Sequence, residues 1–384
     1  MTSQIPKTDD ASNASVLAAM GGPEHRRIGI PPLAQGARVA VVGLGLMGAR
    51  HVTAALRRGH TIVGLVDPSA NPHALQLNPD LASLRCDTLA ELRSDTVDLL
   101  VIATTADLHH RLATEAFGLG FRRIVIEKPV SQSVDEAFDI KLRAQEKGVR
   151  VIVNHGRRYC DAYARVRQLK GEMGDIRTVT LRFGGGALGC VGTHWIDLAN
   201  TLIDAKATHV FAKETEPSEN PRGVRFNDPG ASVMIVYENG ACAFIDTRDD
   251  VGFVGGAAIS FSKGELTWTD EFGPWTLRRR REGDLDRPLS RYGTPLFPSL
   301  FSPSVTALDP TNLLWRHNGE QAVLGYAASA MDDALGDHPP ISGIDAAIQT
   351  MRVYAAARVS HVTSSSVCID NIESASLARR FSIP

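Results

Sequence analysis

Cysteine is scarce and unpatterned in this sequence: Cys86, Cys160, Cys190, Cys242 and Cys368 are odd in number, widely spaced and form no CxxC pair. That argues against a disulfide framework or a zinc knuckle and leaves small buried thiols as the expectation. Long apolar runs are also lacking. No stretch approaches the ~18 residues of a membrane-spanning helix, and the first residues show no basic segment followed by an apolar one, so no membrane partner and a cytoplasmic location are expected. Charge of one sign is missing too. With 41 basic and 43 acidic side chains the formal charge is −2, too small to gather nucleic acid. The one dense basic run, Arg278 to Arg281, follows an apolar stretch and reads as a solvated strand end, with a phosphate or partner contact as the sharper alternative. His109 and His110 adjoin each other and no carboxylate or thiol cluster has ligand spacing, so the site is expected to be metal-free.

What is present is the composition of an ordinary folded enzyme, 43% apolar and 22% charged over 384 residues, a length that favours two domains. Residues 1–36 are rich in Ser, Asn, Ala, Gly and Pro without apolar period, and read as a flexible lead segment. Residues 37–155 alternate short β-branched runs (38–42, 61–66, 98–103, 122–126 and 150–153) with helical stretches at 46–58, 107–118 and 133–147. Runs apolar throughout their centres are buried on both faces, and right-handed crossovers make them a doubly wound parallel sheet, a Rossmann α/β domain. Ser133 and Glu136 stand in capping-box spacing, and Gly148 closes that helix. Residues 156–384 change character. Strand-like segments near 176–183, 208–212, 231–237, 241–247, 257–262 and 265–268, a hairpin signal at Tyr237 to Gly240 and helices near 159–169, 193–203, 318–335 and 343–360 predict an α+β domain on a large, mainly antiparallel open sheet.

The first strand runs directly into Gly43-Leu44-Gly45-Leu46-Met47-Gly48, a GxGxxG at a strand-to-helix turn, where backbone N–H groups and the helix dipole hold a pyrophosphate. The second strand ends in Asp67, 19 residues past Gly48, suited to accept hydrogen bonds from an adenosine ribose. Pro68 and Ser69 follow instead of an arginine, which favours NAD over NADP. Asp67 before Pro68 is also compatible with a plain strand-end turn.

The fifth strand ends in Glu127-Lys128-Pro129, at the sheet edge where open α/β folds bind ligands. With the GxGxxG, Ala103-Thr104-Thr105, His109, Asn154-His155-Gly156-Arg157-Arg158-Tyr159 and Gly192-Thr193-His194-Trp195-Ile196-Asp197, the chain resembles the glucose-fructose oxidoreductase, inositol dehydrogenase and MocA family from about residue 38 to about 360. The resemblance implies a sugar or polyol dehydrogenase, a homodimer or homotetramer, that oxidises a secondary hydroxyl by hydride transfer to NAD. It places Lys128 between nicotinamide and substrate and His194 on the reacting hydroxyl, with Asp197 on the same helix face as a further catalytic candidate. His155, Arg158 and Thr193 are candidates for the substrate side. Gly43, Gly45, Leu46, Met47, Gly48, Asp67, Thr104, Thr105, His109, Glu127 and Lys128 are candidates for the cofactor side. Histidine's ordinary pKa of about 6.5 suits proton removal, and an ammonium favours the developing alkoxide. One departure stands out: Cys190 occupies the position, four residues before His194, where many relatives carry an aspartate. That leaves room for NAD-retaining glycosidases or lyases that oxidise the sugar transiently. A catalytically silent NAD-binding sensor or assembly protein is the alternative from another class, against which the presence of both Lys128 and His194 argues.

Overall fold

The computed structural model describes residues 36–216, 220, 222–251, 255–280 and 319–384, and the backbone of 301–308. All but Gly36 of the expected lead segment, and Arg281 of the basic run, lie outside the described residues. The first sheet has six strands, β1 Arg38–Val42, β2 Thr61–Val66, β3 Arg85–Cys86, β4 Leu99–Ile102, β5 Arg123–Ile126 and β6 Arg150–Val153. Their order is β3-β2-β1-β4-β5-β6 and every pairing is parallel. The strand order reverses between β1 and β4, so the carboxyl ends of these two strands open a crevice there. The apolar centres, Val39 to Val42 and Leu99 to Ile102, are buried because helices cover both faces.

Helices α1 Leu46–Arg57, α2 Ala106–Leu119 and α3 Val134–Lys147 make the crossovers. At α3 the Ser133 hydroxyl accepts the Glu136 N–H at 3.1 Å, a cap worth about 1 kcal/mol, and Gly148 ends the helix with φ 63°. The reciprocal half of the capping box is displaced by one residue: the Glu136 carboxylate receives the N–H of Gln132 at 3.1 Å.

The second sheet has nine strands in the order β14-β13-β12-β11-β7-β10-β9-β8-β15, from β7 Ile176–Arg182 through β8 Ala207–Glu214, β9 Ala231–Tyr237, β10 Cys242–Asp246, β11 Gly256–Phe261, β12 Gly264–Trp268, β13 Trp275–Arg280 and β14 Phe301–Leu308 to β15 Val367–Cys368. It is mainly antiparallel, with β7 and β10 running parallel. The Tyr237 to Gly240 turn joins β9 to β10, with Gly240 at φ 79°. Helix α4 Thr193–Ile203 leads into β8, and α6 Ile344–Thr363 packs on β8, α3 and α4. Helix α5 Gly319–Leu335 lies in sequence between β14 and β15 of the nine-stranded sheet yet packs on α1 and on β5 and β6 of the first sheet. Its Ala327, Ala330, Met331 and Ala334 share a core with Val39, Val41 and Val52, the small side chains allowing close approach. Among the described residues no helix is long and apolar enough to cross a membrane.

Candidate active site

Each glycine of the β1–α1 turn is required for a different reason. Gly43 has φ +85°, and a Cβ there would stand 2.8 Å from the Thr104 backbone nitrogen. Gly48 lies against the Gly43 carbonyl with no room for a side chain. A Cβ on Gly45 would meet nothing within 4 Å, so this glycine faces open space at the start of α1. That bare helix N-terminus fits a pyrophosphate, for which the backbone of Gly45 to Met47 would provide a cradle.

The turn opens on a cleft of about 730 Å³. It is lined by Gly43, Gly45, Leu46, Met47, Asp67, Thr104, Thr105, Glu127 and Lys128, nine of the expected cofactor residues, and reaches Arg222 and Pro384 on its far side. Gly48 sits beneath it. His109 stands behind the wall, buried, its ring nitrogens 2.9 Å from the Pro129 carbonyl and 3.1 Å from that of Thr104. It therefore ties the threonine loop to the EKP loop. The Asp67 carboxylate lines the cleft while accepting the N–H groups of Leu44 at 2.7 Å and Ser69 at 2.8 Å.

Glu127 is buried. Its carboxylate contacts His51 Nε2 and accepts a hydrogen bond from the Asn154 amide, both at 2.7 Å. Burial pushes the Glu127 carboxyl up, but His51, Asn154 and Lys128 together outweigh it and bring it down to about 2. The next residue, Lys128, donates from Nζ to the Cys190 carbonyl at 2.5 Å, with the Cys190 sulfur 3.8 Å away.

On the opposite side α4 begins at Thr193 and presents His194 in its first turn. The His194 and His155 rings meet edge to face with centroids 6.4 Å apart. Burial drives His194 well below the ordinary histidine pKa, and the nearby Lys128, Arg157 and His155 push the same way, so its ring is neutral at pH 7. Asp197 faces inward from the same helix: Arg158 Nε and Nη2 both donate to it at 2.9 Å, and His155 Nδ1 lies 3.9 Å off. The buried Thr193 hydroxyl donates to the Gly189 carbonyl at 2.6 Å and braces the turn before α4. Of the residues assigned to the substrate side, His155 and His194 are thus neighbours, while Arg158 and Thr193 are engaged with protein. Beside Arg158, Arg157 pairs with Glu271 at 2.7 Å and lies 3.9 Å over the Trp195 ring.

Residues 37–155 match the family model of the GFO_IDH_MocA oxidoreductases with an NAD-binding Rossmann fold, and residues 160–267 match the model of the GFO/IDH/MocA C-terminal domain. The chain belongs to the Gfo/Idh/MocA family. It is 32% identical over 214 residues to an inositol 2-dehydrogenase of Mycolicibacterium smegmatis, covering 51% of this chain and 61% of that one. It is 24% identical over 317 residues to inositol 2-dehydrogenase 2 of Saccharopolyspora erythraea, covering 77% and 91%. The chain spans less than two thirds of the length of several other curated relatives it matches. A crystal structure of an oxidoreductase from Agrobacterium radiobacter with NAD+, L-tartaric acid and magnesium superposes with a TM-score of 0.71 at 16% identity, covering 88% of this chain and 99% of that one.

Within this Gfo/Idh/MocA chain the residues that sequence reasoning passed over are His51, Asn154 as a partner of Glu127, and Asp228. His51 had a faint signal, three residues past Gly48 on the buried face of α1. Asp228 had none, since its partners lie 38 and 39 residues away in sequence.

Proposed function

We propose that the protein is an NAD-dependent dehydrogenase that reversibly oxidises a secondary hydroxyl of a sugar, inositol or related derivative. The observation that carries this reading is that Lys128, at the cleft, donates to the Cys190 carbonyl at 2.5 Å, in the turn that leads directly into the helix presenting His194. A neutral imidazole takes the hydroxyl proton, and Lys128 orients the oxygen and stabilises the alkoxide as charge develops. Bound NAD supplies the hydride acceptor. Gly45 to Met47 hold its pyrophosphate and Asp67 its adenosine ribose. Asp197 acts through Arg158 and His155, holding the helix that carries His194. The inositol dehydrogenases among its relatives support a carbohydrate substrate.

NAD is preferred to NADP because a 2′-phosphate would meet the Asp67 carboxylate. Arg85, beside Asp67, is engaged with the Asp67 carbonyl at 3.1 Å and with Asp87 at 2.6 Å. The outer face of the second sheet supports self-association as a dimer or tetramer. Phe211, Met234 and Phe244 lie side by side on β8, β9 and β10 and are 48%, 37% and 40% exposed.

The test is absorbance at the reduced-nicotinamide band with purified protein, NAD and a panel of inositols, sugars, glycosides and sugar nucleotides, with products analysed in parallel. NADH formed with a polyol or sugar is the expected result. Product without NADH would replace net oxidation by an internal redox cycle, and NAD binding with no product across the panel would favour the silent sensor.

A further inference from the structure

The turn that receives the catalytic lysine is built at some cost. Ala187 has φ +65°, a conformation that strains any residue with a Cβ, and the chain then makes a five-residue π-turn, Leu188–Gly192, before α4. Asp228, on the segment before β9, holds this turn with both carboxylate oxygens. One accepts the Gly189 N–H at 2.6 Å and the other the Cys190 N–H at 2.7 Å. Asp228 is 8% exposed, and among the described residues no cation lies within ion-pair distance of it. A buried carboxylate is costly unless its hydrogen bonds are good, and these two amides are its partners.

The turn is also walled from behind. Ile383 packs on Gly189, where any Cβ would collide with it, and the Asn227 N–H donates to the Ser382 carbonyl at 2.8 Å. The consequence of this bracing is the direction of a single carbonyl. With its N–H fixed on Asp228, Cys190 turns its C=O to Lys128 Nζ at 2.5 Å.

We propose that Asp228 is a positioning residue for Lys128: by fixing the Gly189–Cys190 turn it aims the Cys190 carbonyl, which holds the lysine ammonium at the cleft. The inference rests on the reading of Lys128 as the group that faces substrate. It gives the lysine a carboxylate that reaches it through the backbone of the Gly189–Cys190 turn instead of by direct contact.

The test uses Asp228→Asn in the full chain, which keeps the volume but leaves one acceptor and turns a donor toward the second N–H. Lys128 is labelled with acetic anhydride in the absence of substrate and quantified by peptide mass spectrometry, beside thermal melting and steady-state kinetics. We expect Lys128 to react roughly tenfold faster, as for a lost charge-assisted hydrogen bond. Turnover should fall roughly 10- to 100-fold with KM for NAD changed less than about threefold. Ile383→Ala, which loosens the same turn from behind, should raise labelling about threefold and answers the question if Asp228→Asn does not fold. Unchanged labelling in a folded Asp228→Asn, or in Ile383→Ala where that variant must stand in, overturns the proposal. Labelling needs no turnover, so failure of the dehydrogenase reading would appear separately, as full activity in Lys128→Ala or no activity in the wild type.

Discussion

The two walls of the cleft are held by different bonds. On the Rossmann wall the binding surface is backbone: the Gly43 N–H on the Val66 carbonyl at 2.8 Å, the bare start of α1, and Gly48 pressed on Gly43. On the second wall, behind the turn whose Cys190 carbonyl receives Lys128, side-chain charge holds side-chain charge, Arg158 on Asp197 and Arg157 on Glu271, with Asp228 holding two amides. The main-chain bond of the first wall, Gly43 to Val66, joins residues 23 apart. The second is closed by contacts that span 38 to 114 residues. A backbone cradle serves any dinucleotide, whereas a wall of placed side chains serves one reaction. Substitutions that change side-chain chemistry should therefore damage the second wall most, and substitutions that only add bulk should damage the first.

The largest effect is expected at the proposed proton-transfer pair. Lys128→Ala and His194→Ala should each lower turnover by roughly 10² to 10⁴ with the melting temperature nearly unchanged, as for loss of proton transfer or alkoxide stabilisation. Losses under threefold in both would remove the distinction between the walls. Next come two glycines of one motif. Gly48→Ala drives a methyl into the Gly43 carbonyl and should cost about 3 kcal/mol of stability, read by urea unfolding. Gly45→Ala meets no atom within 4 Å, so stability should stay within about 0.5 kcal/mol while NAD binding, read by calorimetry, weakens at least tenfold. Equal losses of stability would mean that Gly45 is structural and the cradle lies elsewhere.

The contrast between the walls also decides what could be read from the sequence. The strand and helix alternation of the first domain, the glycine turn, the Ser133 cap and the Tyr237–Gly240 hairpin were all legible, because each is settled by neighbours within a few residues or by a periodic pattern, whereas the two-residue strand Arg85–Cys86 is too short to show one. Lys128 and His194 stood out in the sequence through their motifs alone, and the structure brings the Lys128 ammonium onto the turn that leads into the His194 helix. What those motifs do not encode is which way a side chain turns once the fold closes. His109 turns into two carbonyls behind the cleft and Thr193 into Gly189, both through contacts that only the assembled loops create. Helix α5 could be read as a helix, but not as part of the first core, since its partners on α1 lie about 270 residues earlier: Arg50 bonds Glu320 and Arg58 bonds Asp332 across that gap.

The last expected effect lies where the two sides of this contrast meet, at Glu127, a buried side-chain charge inside the backbone-built wall. Its folded carboxyl titrates at about 2 against 4.5 for the ordinary group. A depressed carboxyl pKa stabilises the fold above the unfolded value and is lost as pH falls toward the folded one, so the window is acid, below about pH 5. Between pH 6 and pH 3 the loss from this one group amounts to roughly 2 kcal/mol. Glu127→Gln should be less stable at pH 6, because His51 loses its anionic partner, yet should lose about 2 kcal/mol less than the wild type on going to pH 3. Urea unfolding of both proteins at the two pH values measures the difference. Parallel losses would mean that Glu127 is no more strongly held than a surface carboxylate, and that the acid sensitivity of the fold arises elsewhere.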